Sequence, residues 1–275
     1  MSALDAVGGY TVLDAYGRAD ALAGAAGGVD VLVIATPDAE VARVAAAVVP
    51  VATTVVLHLS GSLGLDALAP HPRRASLHPL VPLPNPEIGS RRLRSGVTFA
   101  VAGDPAARAL ADALGGVPVV VADADRPNYH AAATIAANHL VALLGQVERV
   151  AATAGLPLSA FAGLVRAAAD DALALGPPAA LTGPAVRGDW ATVDRHRGVL
   201  EAMPGGRNEL VAYDAMVVLA RRLSTVTPEL ELIAQLDLEA TFAEDPFVPG
   251  IGDTAFGHTA FDGLPVVADG VEQVA

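Results

Sequence analysis

Apolar positions along residues 1–126 alternate between two periods. Short runs rich in Val, Ile and Leu occur at Tyr10–Tyr16, Asp30–Ala35, Thr53–Leu59, Val97–Ala102 and Val117–Ala122. Their apolarity is continuous rather than alternating, which predicts strands covered on both faces. Between them, Ala-rich stretches at Ala19–Ala26, Asp38–Val48 and Pro105–Leu114 carry a helical period. The second of these has a marked start: Thr36 as cap, Pro37 in the first turn, and Asp38 complementing the helix dipole. Strand and helix in alternation, joined by right-handed crossovers, predict an α/β fold with a Rossmann-like parallel sheet.

From Pro127 the strand signal stops. The spacing predicts one long helix from Asn128 to Ala154, ended by Gly155-Leu156-Pro157, and a second over Leu158–Leu175, ended by Gly176-Pro177-Pro178. Further helices are expected at Asp189–Met203 and Glu209–Leu223. Residues 127–223 therefore read as an all-helical C-terminal domain. Residues 224–275 form an acidic, Pro- and Gly-containing tail, in which Pro228–Phe242 suits an amphipathic helix.

Composition narrows the functions open to this fold. The net charge of −13 disfavours nucleic acid and anionic membranes as partners. With no Cys, disulfides, thiolate nucleophiles and cysteine metal sites are excluded, and a cytoplasmic location is expected. All 17 basic residues are Arg. Schiff-base chemistry on lysine and a lysine general acid are thereby excluded. The His residues show no recognised metal-ligand spacing, so no metal is expected.

Three groups of residues can carry chemistry. On the long helix, His130, Thr134 and Asn138 recur at i, i+4 and i+8, a polar stripe on an otherwise apolar element. Such a stripe is a satisfied buried network or one wall of a cleft. Past a strand end lies His58-Leu59-Ser60-Gly61-Ser62, where a doubly wound sheet binds its ligands. An ordinary turn capped by Ser60 also satisfies that sequence. The third group is Ser76-Leu77-His78-Pro79-Leu80, opening the Pro-rich run Val81–Pro86 and read as a stiffened loop.

A dinucleotide-binding half should open with a strand, a G-x-G-x-x-G turn and a helix. Val7-Gly8-Gly9-Tyr10 is a poor substitute, since a strand follows it directly. Tyr10–Tyr16 with Gly17-Arg18 reads as a second Rossmann strand, and Arg18 just past it suits a 2′-phosphate. The first strand of the sheet is therefore absent from the pattern. We expect either that Tyr10–Tyr16 and Asp30–Ala35 close up and pair, that Leu264–Ala268 replaces the strand, or that the Rossmann half begins upstream of Met1, the last being favoured.

Several segments together resemble a known group: Val31–Asp38, His58–Ser62, Ala75–Pro79, Tyr129 with His130, Ala137–Leu140, Leu181–Pro184 and Arg187–Asp189. Over residues 8–223 the chain resembles Rossmann-like proteins carrying the C-terminal domain of unknown function 2520. These are 6-phosphogluconate dehydrogenase-like relatives of pyrroline-5-carboxylate reductase and the β-hydroxyacid dehydrogenases. The resemblance implies NADP in the N-terminal half, a helical dimerisation domain and an oxidoreductase role without a settled substrate. Where β-hydroxyacid dehydrogenases place a catalytic lysine one turn before an asparagine, this chain has Thr134 before Asn138. Their reaction therefore does not carry over.

Two readings stay open. In the first, an NADP-dependent oxidoreductase holds a small molecule between the sheet edge and the long helix. Arg18, Thr36, Pro37, Ser60 and Gly61 bind the cofactor. His130, Thr134 and Asn138 face the substrate, and His78 or His130 donates the proton. In the second, a homodimer binds a nucleotide without catalysis, as a sensor.

Overall fold

A computed structural model of the protein describes residues 9–223. Expectations for Pro228–Phe242 and Leu264–Ala268 lie outside the described residues. The chain divides into two compact units, the first running to Leu140 and the second starting at Val141.

In the first unit, five strands form one sheet in the order β1 (Val31–Ile34), β2 (Val55–His58), β3 (Arg74–Pro79), β4 (Thr98–Gly103), β5 (Val117–Val120). β1, β2 and β3 are parallel, β4 runs antiparallel to β3, and β5 is parallel to β4. Helix α1 (Asp38–Ala47) covers one face through Val41 and Ala45, packed with Leu32, Ile34, Val56 and Leu68. Helix α3 (Ala106–Ala113) covers the other through Ala107, Leu110 and Ala111, packed with Leu57, Leu77, Phe99 and Val101. The central strands β2 and β4 are buried on both faces, which is why they lack polar alternation.

The sheet is mixed, not wholly parallel. β3 was expected as a loop; Ser76 and His78 interrupt its apolar run because both belong to the site described below. Between Val81 and Val97, helix α2 (Pro86–Leu93) was not anticipated. It is started by Asn85, whose side chain accepts the Ile88 N–H at 2.9 Å, and by Pro86 in its first turn.

Tyr10–Tyr16 forms no strand, and residues 19–26 form turns rather than a helix. Among the described residues nothing pairs with the outer edge of β1. A cleft of about 430 Å³ lies there, lined by Tyr10, Val12 and Asp14 from one segment and Gly28, Val31 and Val33 from the other. A strand needs a ladder partner; facing a cleft, Tyr10–Tyr16 has none, so direct pairing with β1 does not occur.

Helix α4 (Arg126–Thr134) continues through a π-helical turn, Ile135–His139, into α5 (Leu140–Thr153). The second unit is helical: α6 (Ala162–Leu175), the short α7 (Pro177–Ala180) and α8 (Pro184–Arg187), then α9 (Trp190–Glu201) and α10 (Gly206–Leu223). Asp189 caps α9, accepting the Thr192 N–H at 3.1 Å. Arg149 on α5 donates to Glu209 on α10 at 2.5 Å, which ties those helices together.

Candidate active site at the carboxyl ends of the parallel strands

Ile34 and His58, at the carboxyl ends of β1 and β2, stand abreast of Ser76 in the middle of β3. The chain leaves β2 through Ser60-Gly61-Ser62. Ser60 Oγ accepts the N–H groups of Ser62 at 3.1 Å and Leu63 at 3.0 Å. This is the capped turn weighed above. The same hydroxyl donates to Asp38 Oδ2 at 2.7 Å, and Ser62 Oγ donates to that oxygen at 2.6 Å. Asp38 thus does more than complement a dipole: it fastens the β2 loop to the start of α1.

Below the loop lies Arg126, the largest fully buried side chain. Its guanidinium donates to the Ser60 carbonyl at 3.3 Å, to Ser76 Oγ, and to Asp123 Oδ1 at 3.2 Å. Asp123 Oδ2 also accepts the Leu65 N–H at 2.8 Å. One buried cation therefore joins the first residue of α4 to the loops and strands carrying the site. A buried charge is tolerable only when so paired and bonded.

Three ring side chains meet above it. His78, at the end of β3, shares a 2.6 Å hydrogen bond through Nδ1 with the Tyr129 hydroxyl. The His130 ring lies 6.3 Å from the His78 ring, near perpendicular. Both imidazoles pack on Gly61: a Cβ there would fall 2.9 Å from His130 Cδ2 and 2.9 Å from His78 Nε2. Gly61 is needed for this close approach of two rigid rings. Burial lowers the His78 pKa below the ordinary range, helped by His130 and Arg126 and opposed by Asp38. Burial raises that of Tyr129, and Arg126 opposes the rise. His58, wholly buried, is pushed down to about 4 by burial first and by Arg126 second.

The expected site residues are distributed as follows. Ser60, Gly61, His78 and His130 come together. Thr36 and Pro37 follow β1 at the same end of the sheet; Pro37, not Thr36, occupies the cap position of α1, and no side chain caps the helix. Thr36 Oγ1 is instead buried without a hydrogen-bond partner. Thr134 is half-buried, while Asn138 is exposed within the π-helical turn. Arg18 is exposed in a turn. Arg126, Tyr129, Asp38 and Asp123 were missed by the sequence reading. The signal for Arg126 was present: it is the one basic residue just before a helix-opening Pro127, at the head of the polar stripe.

The group implied by the sequence, NADP, can be tested against these residues. The unpartnered Thr36 hydroxyl and the Ser60–Gly61–Ser62 loop, side by side at the carboxyl edge, suit the nicotinamide half of such a molecule. Among the described residues no glycine-rich strand-turn-helix is present to cradle its phosphates. Nor do His, Asp or Glu side chains converge in a group suited to a metal ion among the described residues. No single helix there is long and apolar enough to cross a membrane.

Fold and site together define a Rossmann-like α/β protein with a helical C-terminal unit. Residues 96–218 match the family model described as Domain of unknown function (DUF2520), and the chain carries that domain. It is similar to the crystal structure of protein TM1727 from Thermotoga maritima, with 28% identity and a TM-score of 0.59, over 70% of this chain and 77% of that one. It also shares its fold with BF3122 from Bacteroides fragilis, a protein provisionally named an NADP oxidoreductase. That likeness has 18% identity and a TM-score of 0.57, over 76% of this chain and 75% of that one. No curated protein matches the chain.

Proposed function

We propose that the protein is an NADP-dependent oxidoreductase acting on a small molecule at the carboxyl edge of β1–β3. One observation carries this reading: His78, His130 and Tyr129 converge on the Ser60–Gly61–Ser62 loop where a doubly wound sheet binds its ligand. The provisional name of BF3122 supports it at the level of fold. Thr36, Pro37, Ser60 and Gly61 would line the nicotinamide, with Arg18 the candidate for the 2′-phosphate. His130, with Thr134 and Asn138 further along the helix, would face the substrate. No lysine is available, so proton transfer falls to the imidazoles and the phenol.

The second reading, a nucleotide-binding sensor dimer without catalysis, is favoured by the absence of a glycine-rich turn and of lysine. Calorimetric titration of the full chain with NADPH and NADH, followed by a NADPH-oxidation screen on small carbonyls and imines, separates the two. Saturable NADPH binding tighter than that of NADH, with turnover on any member of the panel, is the expected result. Binding without turnover would favour the sensor. Absence of saturable binding for either dinucleotide at millimolar concentration would overturn the dinucleotide reading.

A further inference from the structure

We infer that Tyr129 and His78 form a two-member proton relay, set up by Arg126, whose delivering atom is His78 Nε2. The inference deepens the proposed function by naming the acid and the substrate class it serves, and it rests on that reading.

The geometry begins with the tautomer. Tyr129 has His78 Nδ1 as its hydrogen-bond partner among the described residues, at 2.6 Å. That contact is shorter than the N–H···O range of about 2.7–3.2 Å and suits an O–H donor. A phenol O–H is also more acidic than the N–H of a neutral imidazole, and so is the stronger donor of the pair. With Tyr129 O–H donating to Nδ1, neutral His78 carries its hydrogen on Nε2. The hydrogen bond made by one ring nitrogen thus fixes what the other presents. The near-perpendicular ring packing of His78 on Tyr129, with centroids 5.6 Å apart, holds both in place.

Neutral His78 cannot give up Nε2–H alone without becoming an imidazolate. With Tyr129 attached it has no need to. As the Nε2–H bond breaks toward a substrate heteroatom, the Tyr129 O–H bond breaks and an Nδ1–H bond forms. His78 ends neutral in its other tautomer, and Tyr129 ends as phenolate until it regains a proton from water. Arg126 lies one turn earlier on α4, buried, and its charge favours that phenolate against the burial that disfavours it. A compound that can use this acid has a C=O or C=N group. Reduced nicotinamide, when bound, would supply hydride to the carbon of that group; the C=O or C=N π electrons would move to the heteroatom, which would take the proton from His78 Nε2. The relay therefore points to carbonyl or imine reduction and fills the place left by lysine.

The test is ¹⁵N NMR of the full chain labelled at histidine, wild type against Tyr129→Phe, which removes one oxygen and keeps the ring. The wild type is expected to show His78 as the single Nε2–H tautomer. Tyr129→Phe is expected to show both tautomers in exchange, while NADPH affinity stays within about twofold. A wild-type Nδ1–H tautomer, or a tautomer unchanged in Tyr129→Phe, would overturn the relay. Loss of folding in Tyr129→Phe leaves the wild-type tautomer to decide. Failure of NADPH to bind either protein would sink the oxidoreductase reading and leave the tautomer result standing on its own. With any substrate in hand, kcat should fall about 100-fold in Tyr129→Phe with KM little changed; equal kcat would also overturn the relay.

Discussion

Burial and the neighbouring Arg126 guanidinium hold His58 at about 4, against an ordinary imidazole value of 6.5. Neither ring nitrogen has a hydrogen-bond partner at normal geometry, and the Gly64 backbone offers only a looser polar contact. Folded protein therefore stays neutral at His58 while unfolded chain takes up a proton. Between pH 6.5 and 4 the unfolded state binds more protons, so stability is full above this window and falls as pH drops through it, by roughly 3 kcal/mol. Urea unfolding at a series of pH values should show this slope, and His58→Gln should lose most of it; an equal slope in both proteins would contradict the assignment. At Gly61 the constraint is steric. Gly61→Ala drives a methyl group into two imidazole edges, and overpacking of this kind costs about 1–3 kcal/mol. The expected outcome is a lowered unfolding midpoint together with shifted His78 and His130 ring resonances. Unmoved resonances would show that the rings do not rest on Gly61.

At the scale of elements, the two serine hydroxyls of the loop after β2 share one carboxylate, that of Asp38. Asp38→Asn keeps the shape but removes the charge that two hydroxyls donate to, and hydrogen bonds to a charged group contribute about 1.5–3 kcal/mol. A loss in that range is expected by chemical denaturation; a change under about 0.5 kcal/mol would mean that the loop is held by Ser60 and the backbone alone. Much of the element plan was legible in the sequence. The runs at residues 30–35, 53–59, 97–102 and 117–122 became β1, β2, β4 and β5; burial on both faces leaves an uninterrupted apolar signal in β2 and β4, while the edge strand β5 keeps exposed valines. Asp189 was legible as the start of a helix because capping is local. β3 was not, since its polar residues serve the site and break the run. Tyr10–Tyr16 was over-read: its composition suits a strand, but a strand exists only with a partner along its edge, and that is a property of the whole sheet. Ser60, Gly61, His78 and His130 were legible as candidates from residue type and placement. Tyr129 and Asp38 were not, because their roles come from contacts across 22 to 51 positions of sequence; Arg126 was marked only by its place before Pro127, and its contact with Ser60 lies 66 positions away.

For the whole molecule, the helical unit leaves large apolar side chains at its surface. Leu164 is 68% exposed, Leu173 87% and Val141 69%. From such exposure on α5 and α6 we propose a homodimer, since exposed apolar surface of this kind marks interaction sites. Sedimentation equilibrium at micromolar concentration should give twice the chain mass, and Leu164→Glu with Leu173→Glu should return the monomer; a monomeric wild type would contradict it. The proposed chemistry, by contrast, rests within the first unit, on the carboxyl edge of β1–β3. Its most direct test is a crystal structure of the full chain grown with NADPH. The nicotinamide ring is expected beside Thr36 and the Ser60–Gly61–Ser62 loop, with His78 facing the open side of the ring. Dinucleotide bound elsewhere on the molecule, with that loop and His78 untouched, would contradict the assignment of the site.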